Sequence, residues 1–131
     1  ADASALKTMI KVLRGGGKLV MFPEGTRTRT GEMGRLRPGA AAVACRVDVP
    51  ILPVFVHGTY DAWPRHRPLP RPARVHVAFG PQIQTNGRTA EAVTEELAAR
   101  LRERRDYIRA AIEQERAERA QETIAAEHRS E

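Results

Sequence analysis

The tightest constraint on this chain is a short apolar run, Lys18 to Phe22, bounded by Gly15-Gly16-Gly17 before it and Pro23 after it. A run of that length between breakers is the size of a buried strand. It opens into a polar loop from Glu24 to Pro38 that contains Gly25, so the chain must pass from a strand directly into exposed, chemically rich backbone. The flanks read as helices. Ser4 to Arg14 carries Leu6, Met9, Ile10 and Leu13 at helical spacing, with Ser4 or Asp2 as N-cap and the glycines as its stop. Gly39 to Val47 is Ala-rich, with Pro38 suited to its first turn, and its small side chains would let it lie close against a sheet.

Two further strands are expected. Ile51 to Val56 is apolar, with Pro53 inside it marking an edge, a bulge or an end. Arg74 to Phe79 alternates, placing Val75, Val77 and Phe79 on one face, and Gly80-Pro81 ends it. The Pro- and Arg-rich stretch from Ala62 to Arg74 is loop. From Arg88 onward the chain is helical, with Val93, Leu97, Leu101, Ile108 and Ile112 as a broken apolar stripe. Beyond Ile112 it turns to Glu, Arg, Gln and Ala, a solvated helix or frayed tail.

Strand, helix, strand in this order predicts a right-handed parallel crossover, hence an α/β class: a partial mixed or parallel sheet with flanking helices, plus a C-terminal helix. Three strands hold little apolar content for a stable sheet, which predicts further strands on the N-terminal side. The 131 residues are one domain by length, and 41% apolar with 29% charged residues is a globular balance. A single Cys excludes an internal disulfide framework and a Cys-based zinc site, and a reducing cytosol fits best. Aromatics at 5% argue against a base-stacking platform for nucleic acid. No apolar run reaches membrane-spanning length and no signal-peptide pattern opens the chain. The start at Ala1, without an initiator Met, fits processing or excision from a longer chain. The net charge of +6, carried mainly by Arg, leaves nucleic acid, anionic headgroups and phosphorylated small molecules open as partners beside a plain solvated surface.

The sharpest chemical signal is Phe22-Pro23-Glu24-Gly25-Thr26-Arg27 at the carboxyl end of the first expected strand. Ligands bind at that edge in open α/β sheets. Gly25 allows close backbone approach, Thr26 offers a hydroxyl and an N–H, and Arg27 offers a planar fork of donors for phosphate or carboxylate. Glu24 can accept from the Arg or from a substrate hydroxyl. The plain alternative is a tight turn closed by an internal Glu24–Arg27 pair.

This hexapeptide, with Thr28-Arg29 after it, resembles the F-P-E-G-T-R-S block of the glycerolipid acyltransferases, the lysophosphatidate acyltransferase family. Gly31, Leu36, Pro38-Gly39-Ala40-Ala41 and Ala44 are similar to the family's following stretch. Val49-Pro50-Ile51-Leu52-Pro53-Val54 resembles its V-P-I-V-P-V block, which accounts for the Pro inside the strand. Gly58-Thr59 and Val77-Ala78-Phe79-Gly80-Pro81 also fit. The resemblance implies the C-terminal half of an acyltransferase domain over residues 1–87 and a helical extension over 88–131. It implies transfer of a fatty acyl group from acyl-CoA or acyl carrier protein to a hydroxyl of lysophosphatidate or a related lysophospholipid. No cofactor beyond that donor, no metal and no nucleic acid are expected, and the setting is peripheral, at the cytoplasmic face of a membrane. Glu24, Gly25, Thr26 and Arg27 take the acceptor-phosphate role, with Arg29, Pro53 and His57 as further substrate-binding candidates.

In that family a His and an Asp separated by four residues act as general base and orienting group. Counting five onward from His57, His66 and His76 gives Ala62, Arg71 and Pro81, and His128 lies too near the end. No catalytic residue is therefore assigned within this chain, and it is expected to be inactive alone. The alternative is a non-catalytic phosphate- or lipid-binding module. His57 with Asp61 is either an improvised dyad or a structural pair. Cys45 reads as a packing residue, Arg29, Arg35 and Arg37 as a basic cluster or loop solvation, and Trp63 as an interface residue or a loop anchor. The alternation of Glu and Arg along the last helix favours solvent or a partner helix over lipid.

Overall fold

The computed structural model describes residues 2–129. Its elements are α1 (Ala3–Arg14), α2 (Gly39–Val47), β1 (Val54–His57), α3 (Thr59–Ala62), β2 (His76–Phe79) and α4 (Ala90–His128). Asp2 caps α1 by accepting from the Ser4 N–H, and Gly15 closes it with its N–H on the Leu13 and Lys11 carbonyls. Thr89 caps α4 in the same way, accepting from the Ala92 N–H. At the end of α2, Asp48 takes the left-handed conformation at φ 53° and donates to the Ala44 carbonyl.

The chain is α/β with a small sheet and flanking helices, but the sheet differs from the expected crossover. β1 and β2 pair antiparallel, with Val54 opposite Phe79 and His57 opposite His76. An antiparallel bridge between Ile51 and Ile83 and the Gly80 N–H on the Pro53 carbonyl extend the contact. The Lys18–Phe22 run forms no strand. Val20 is 88% and Phe22 80% exposed, because no described residue offers that segment a ladder of partners. Without it no parallel pair forms among the described residues.

The core lies between the inner side of the sheet and α4. Val93, Leu97 and Leu101 of α4 pack with Leu36, Ala41 and Ile83, and Met33, Cys45, Ile51 and Phe55 border them. The first turns of α4 thus share one core with the residues before 88. Thr85 is buried and donates its hydroxyl to the Val49 carbonyl at 2.8 Å, satisfying backbone just past the end of α2. On the other side of the sheet Leu52, Val54, Val56, Val75, Val77 and Phe79 are all exposed. Their alternation places them on one apolar face with no described layer over it.

Past Ile112, α4 runs about 25 Å further as an exposed helix. An ion pair ties it to the body: Arg74 donates to Glu115 Oε1 at 2.9 Å, and Arg119 reaches the same oxygen at 2.7 Å. The hydrogen bond from Arg74, with the charge of Arg119 adding to it, holds the Glu115 carboxyl below its ordinary range. A depressed carboxyl contributes stability above its unfolded value and loses it as pH falls through the folded one. Side-chain carboxyl NMR should therefore show Glu115 titrating below a peptide glutamate, and Arg74→Ala should move it up. In the core, Leu97→Ala should destabilise the chain by about 2–5 kcal/mol in urea unfolding, whereas a substitution at exposed Arg116 should change it by less than about 0.5 kcal/mol.

Candidate functional site

The loop after Phe22 is closed by backbone. The Gly25 N–H donates to the Phe22 carbonyl at 3.0 Å across Pro23-Glu24, a turn that Pro favours at its second position. The Arg37 N–H donates to the Pro23 carbonyl at 2.7 Å, joining the two ends of the loop. Gly25 sits at φ +67°, and a Cβ there would meet the Arg37 side chain at 3.1 Å. Glycine is favoured by the positive φ, and any side chain there would also have to push the Arg37 side chain aside.

Inside that closure the four expected residues diverge in their partners. Glu24 Oε2 accepts from the Gly34 N–H at 2.7 Å, and Arg27 donates to the Trp63 carbonyl at 2.8 Å. The Arg27 guanidinium also lies 5.3 Å from the centre of the Trp63 ring. An internal Glu24–Arg27 pair is not made, so the plain reading of the motif as a self-closed turn is replaced by two longer-range anchors. Thr28 Oγ1 accepts from the Thr30 and Gly31 N–H groups and donates to the Glu32 carbonyl. Tyr60 lies against Gly31, which holds φ +85°, and donates its hydroxyl to the Arg29 carbonyl at 3.0 Å.

The result is an open cavity of about 310 Å³ lined by Glu24, Thr26, Arg27, Thr28, Arg29, Thr30, Glu32, Met33, Gly34, Arg35 and Arg65. Four guanidinium groups face two carboxylates. Both carboxylates already have partners: Glu24 the Gly34 N–H, and Glu32 the side chain of Arg109 on α4. The side chains of Arg29, Arg35 and Arg65 have no hydrogen-bond or ion-pair partner among the described residues, so the cavity presents net positive charge. An anion is the complementary ligand.

Thr26, Arg27 and Arg29 line the cavity together with Glu24, and Gly25 forms the turn beside it. Pro53 is fully buried beside Gly80, and His57 sits at the end of β1 with its ring 6.2 Å from that of His76. Neither lines the cavity. Asp61 accepts from Arg71 through its carbonyl, and no hydrogen bond joins it to His57 among the described residues. Of the basic cluster, Arg35 lines the cavity and Arg37 packs over Gly25. Trp63 anchors the loop through Arg27, the second of the two readings its sequence position left open. Arg65, Tyr60 and Arg109 carried no sequence signal, because each reaches the loop only through the fold. A second basic concavity of about 460 Å³, lined by Lys7, Ile10, Lys11, Arg14 and Arg46, lies at the C-terminal turns of α1 and α2, where cations offset the helix dipoles.

Comparison with known proteins places this geometry. The family model described as Acyltransferase matches residues 1–57. A 1-acyl-sn-glycerol-3-phosphate acyltransferase of Pseudomonas aeruginosa is 33% identical over 95 residues, which is 70% of this chain and 37% of that protein. A probable 1-acyl-sn-glycerol-3-phosphate acyltransferase of Mycoplasma genitalium is 42% identical over 57 residues, 44% of this chain and 21% of that protein. The crystal structure of the 1-acyl-sn-glycerophosphate (LPA) acyltransferase PlsC from Thermotoga maritima superposes with a TM-score of 0.72 at 27% identity, covering 79% of this chain and 44% of that one. The chain therefore spans less than half the length of each of these relatives.

Gly25→Ala should cost about 1–2 kcal/mol in thermal or urea unfolding, from the left-handed backbone alone. It should also broaden the NMR signals of residues 23–37, because Arg37 must move aside.

Proposed function

The chain belongs to the acyltransferase family, and from that premise we propose that it supplies the acceptor-phosphate half of a glycerolipid acyltransferase site. The single observation that carries this is the cationic cavity built on the Glu24–Arg27 block, in which Arg27 is anchored by Trp63 and three further guanidinium groups stand without protein partners. A phosphate monoester offers several acceptor oxygens and up to two negative charges, and a fork of guanidinium donors matches it better than it matches a neutral headgroup. The acceptor is a lysophosphatidate or a related lysophospholipid, in keeping with what the names of the relatives state of those proteins.

The reaction joins a fatty acyl group, delivered as a thioester on CoA or an acyl carrier protein, to the acceptor hydroxyl. The hydroxyl oxygen attacks the thioester carbonyl, its proton passes to a general base, and the thiolate leaves. This chain's share is binding. Its guanidinium groups hold the phosphate and so fix where the hydroxyl lies, which converts an encounter into an oriented pair. We assign no general base within this chain; no hydrogen bond joins His57 to Asp61 among the described residues. No cofactor beyond the donor is needed for this step. The setting that suits such an acceptor is the cytoplasmic face of a membrane; no helix among the described residues is long and apolar enough to cross one.

Isothermal titration of the chain with a short-chain lysophosphatidate below its micelle concentration, against a monoacylglycerol of the same chain length, tests the reading. The phosphorylated lipid should bind and the neutral one should not. Arg27→Ala should weaken the phosphorylated lipid about ten- to hundredfold, the worth of a charge-assisted pair. Equal binding of the two lipids, or an unchanged affinity in Arg27→Ala, overturns the assignment.

A further inference from the structure

Two carboxylates line a cavity proposed to receive an anion, and each opposes that anion unless its charge is met from elsewhere. Glu24 is met locally, by the Gly34 N–H. Glu32 is met from a distance. Both of its carboxylate oxygens accept from one terminal nitrogen of Arg109, at 2.8 and 2.9 Å, across 77 residues of sequence. Arg109 lies on α4, well outside residues 1–57 that the family model matches.

The backbone of Glu32 does not depend on this pair. Its carbonyl accepts from Thr28 Oγ1 at 2.8 Å, and its N–H donates to Thr30 Oγ1 at 3.3 Å. The loop is thus tied on both sides of the residue, and what Arg109 governs is the charge and direction of the side chain. The pair is exposed, at 41% and 60% for the two side chains, so it contributes little to folding. Its effect is on the field inside the cavity.

We infer that Arg109 is a positioning residue for the acceptor phosphate: it neutralises Glu32 on the cavity wall, so that Arg27, Arg29, Arg35 and Arg65 act on the anion without the opposing charge of Glu32. The long C-terminal helix thereby becomes part of the acceptor site, joined to it by this ion pair as well as by the core in which Met33 and Leu36 meet its buried stripe. This rests on the acceptor-phosphate reading above and assigns an electrostatic task to a residue that touches neither the phosphate nor the reacting atoms.

The test is a double-mutant cycle on the full chain, titrated with the same short-chain lysophosphatidate, with thermal melting as the folding control. Arg109→Ala should leave melting unchanged and weaken binding about three- to tenfold, the size of one nearby unit charge in a largely aqueous cleft. Arg109→Lys, which keeps the charge, should retain most of the affinity. Glu32→Gln should bind at least as tightly as the wild type, and the Glu32→Gln/Arg109→Ala chain, whose wall is again neutral, should bind about as the wild type does. A double variant as weak as Arg109→Ala alone would mean that Arg109 holds the phosphate itself, and overturns the inference. So does a Glu32→Gln chain weakened like Arg109→Ala, which would make the pair a mere brace for the loop. Wild-type affinity in Arg109→Ala overturns it as well. A wild-type chain that fails to distinguish the phosphorylated from the neutral lipid brings down the acceptor reading, and the inference with it.

Discussion

The burial of one stripe of α4 is the interaction on which the rest of this molecule depends. Val93, Leu97 and Leu101 meet Leu36 and Ala41 from the loop and α2, and Ile83 from the segment after β2. A sheet of two four-residue strands cannot hold itself together in water. The helix gives its inner side an apolar partner and ties down Leu36 at the far end of the cavity loop. The loop's closing hydrogen bond, from Arg37 to Pro23, lies one residue further along. Helix packing and loop geometry are therefore linked: the same helix that seals the core places Arg109 against Glu32.

What the sequence revealed and what it concealed divide along physical lines. Helices α1, α2 and α4 were legible because their signals are local: a cap at Ser4 or Asp2, the glycine stop after Arg14, the Ala-rich run after Pro38, and the 3.6-residue apolar spacing of Val93, Leu97 and Leu101; the cap at Thr89 and the short α3 were not anticipated. The alternation of Val75, Val77 and Phe79 located β2, although the ladder itself begins at His76. The Glu24–Arg27 block was legible as a Gly-containing loop with an arginine fork, and the structure brings Glu24, Thr26 and Arg27 to one cavity; its proposed phosphate role came from the resemblance, because the residues alone fitted a plain turn equally well. The Lys18–Phe22 run was misleading for a general reason. Strand propensity states what a segment would do beside a partner, and pairing is a property of two segments. With no partner among the described residues, Val20 and Phe22 are left in solvent. The predicted parallel crossover failed with them, and the antiparallel pairing of β1 with β2 remained.

The exposed side of the sheet carries the same physical lesson. Leu52, Val54 and Val56 alternate with inward residues along one strand, and Val75, Val77 and Phe79 do so along the other. A solvent-facing side of an antiparallel sheet is ordinarily polar, whereas sheets covered on both faces are apolar throughout. By that criterion the six residues have the composition of a covered face. The observation agrees with a chain that matches 44% of the Thermotoga maritima structure and 37% of the Pseudomonas aeruginosa relative.

The cavity shows how a loop without regular structure can still be preorganised. Arg27 commits one nitrogen to the Trp63 carbonyl and rests its guanidinium near the indole, which fixes a side chain that would otherwise lose considerable rotamer freedom on binding a ligand. Its other donors stay available. Arg29 is steered differently, through its backbone, by Tyr60 and the Gly31 turn, and its head has no partner among the described residues. The site thus combines one anchored cation with three unpaired ones. An anchored cation sets the position of a phosphate with little ordering left to lose, and unpaired cations add donors and charge. The acids of the cavity are handled in the same spirit: one is bound to local backbone and the other to a distant helix. Charge complementarity toward an anion here depends as much on how Glu24 and Glu32 are occupied as on how many arginines surround them.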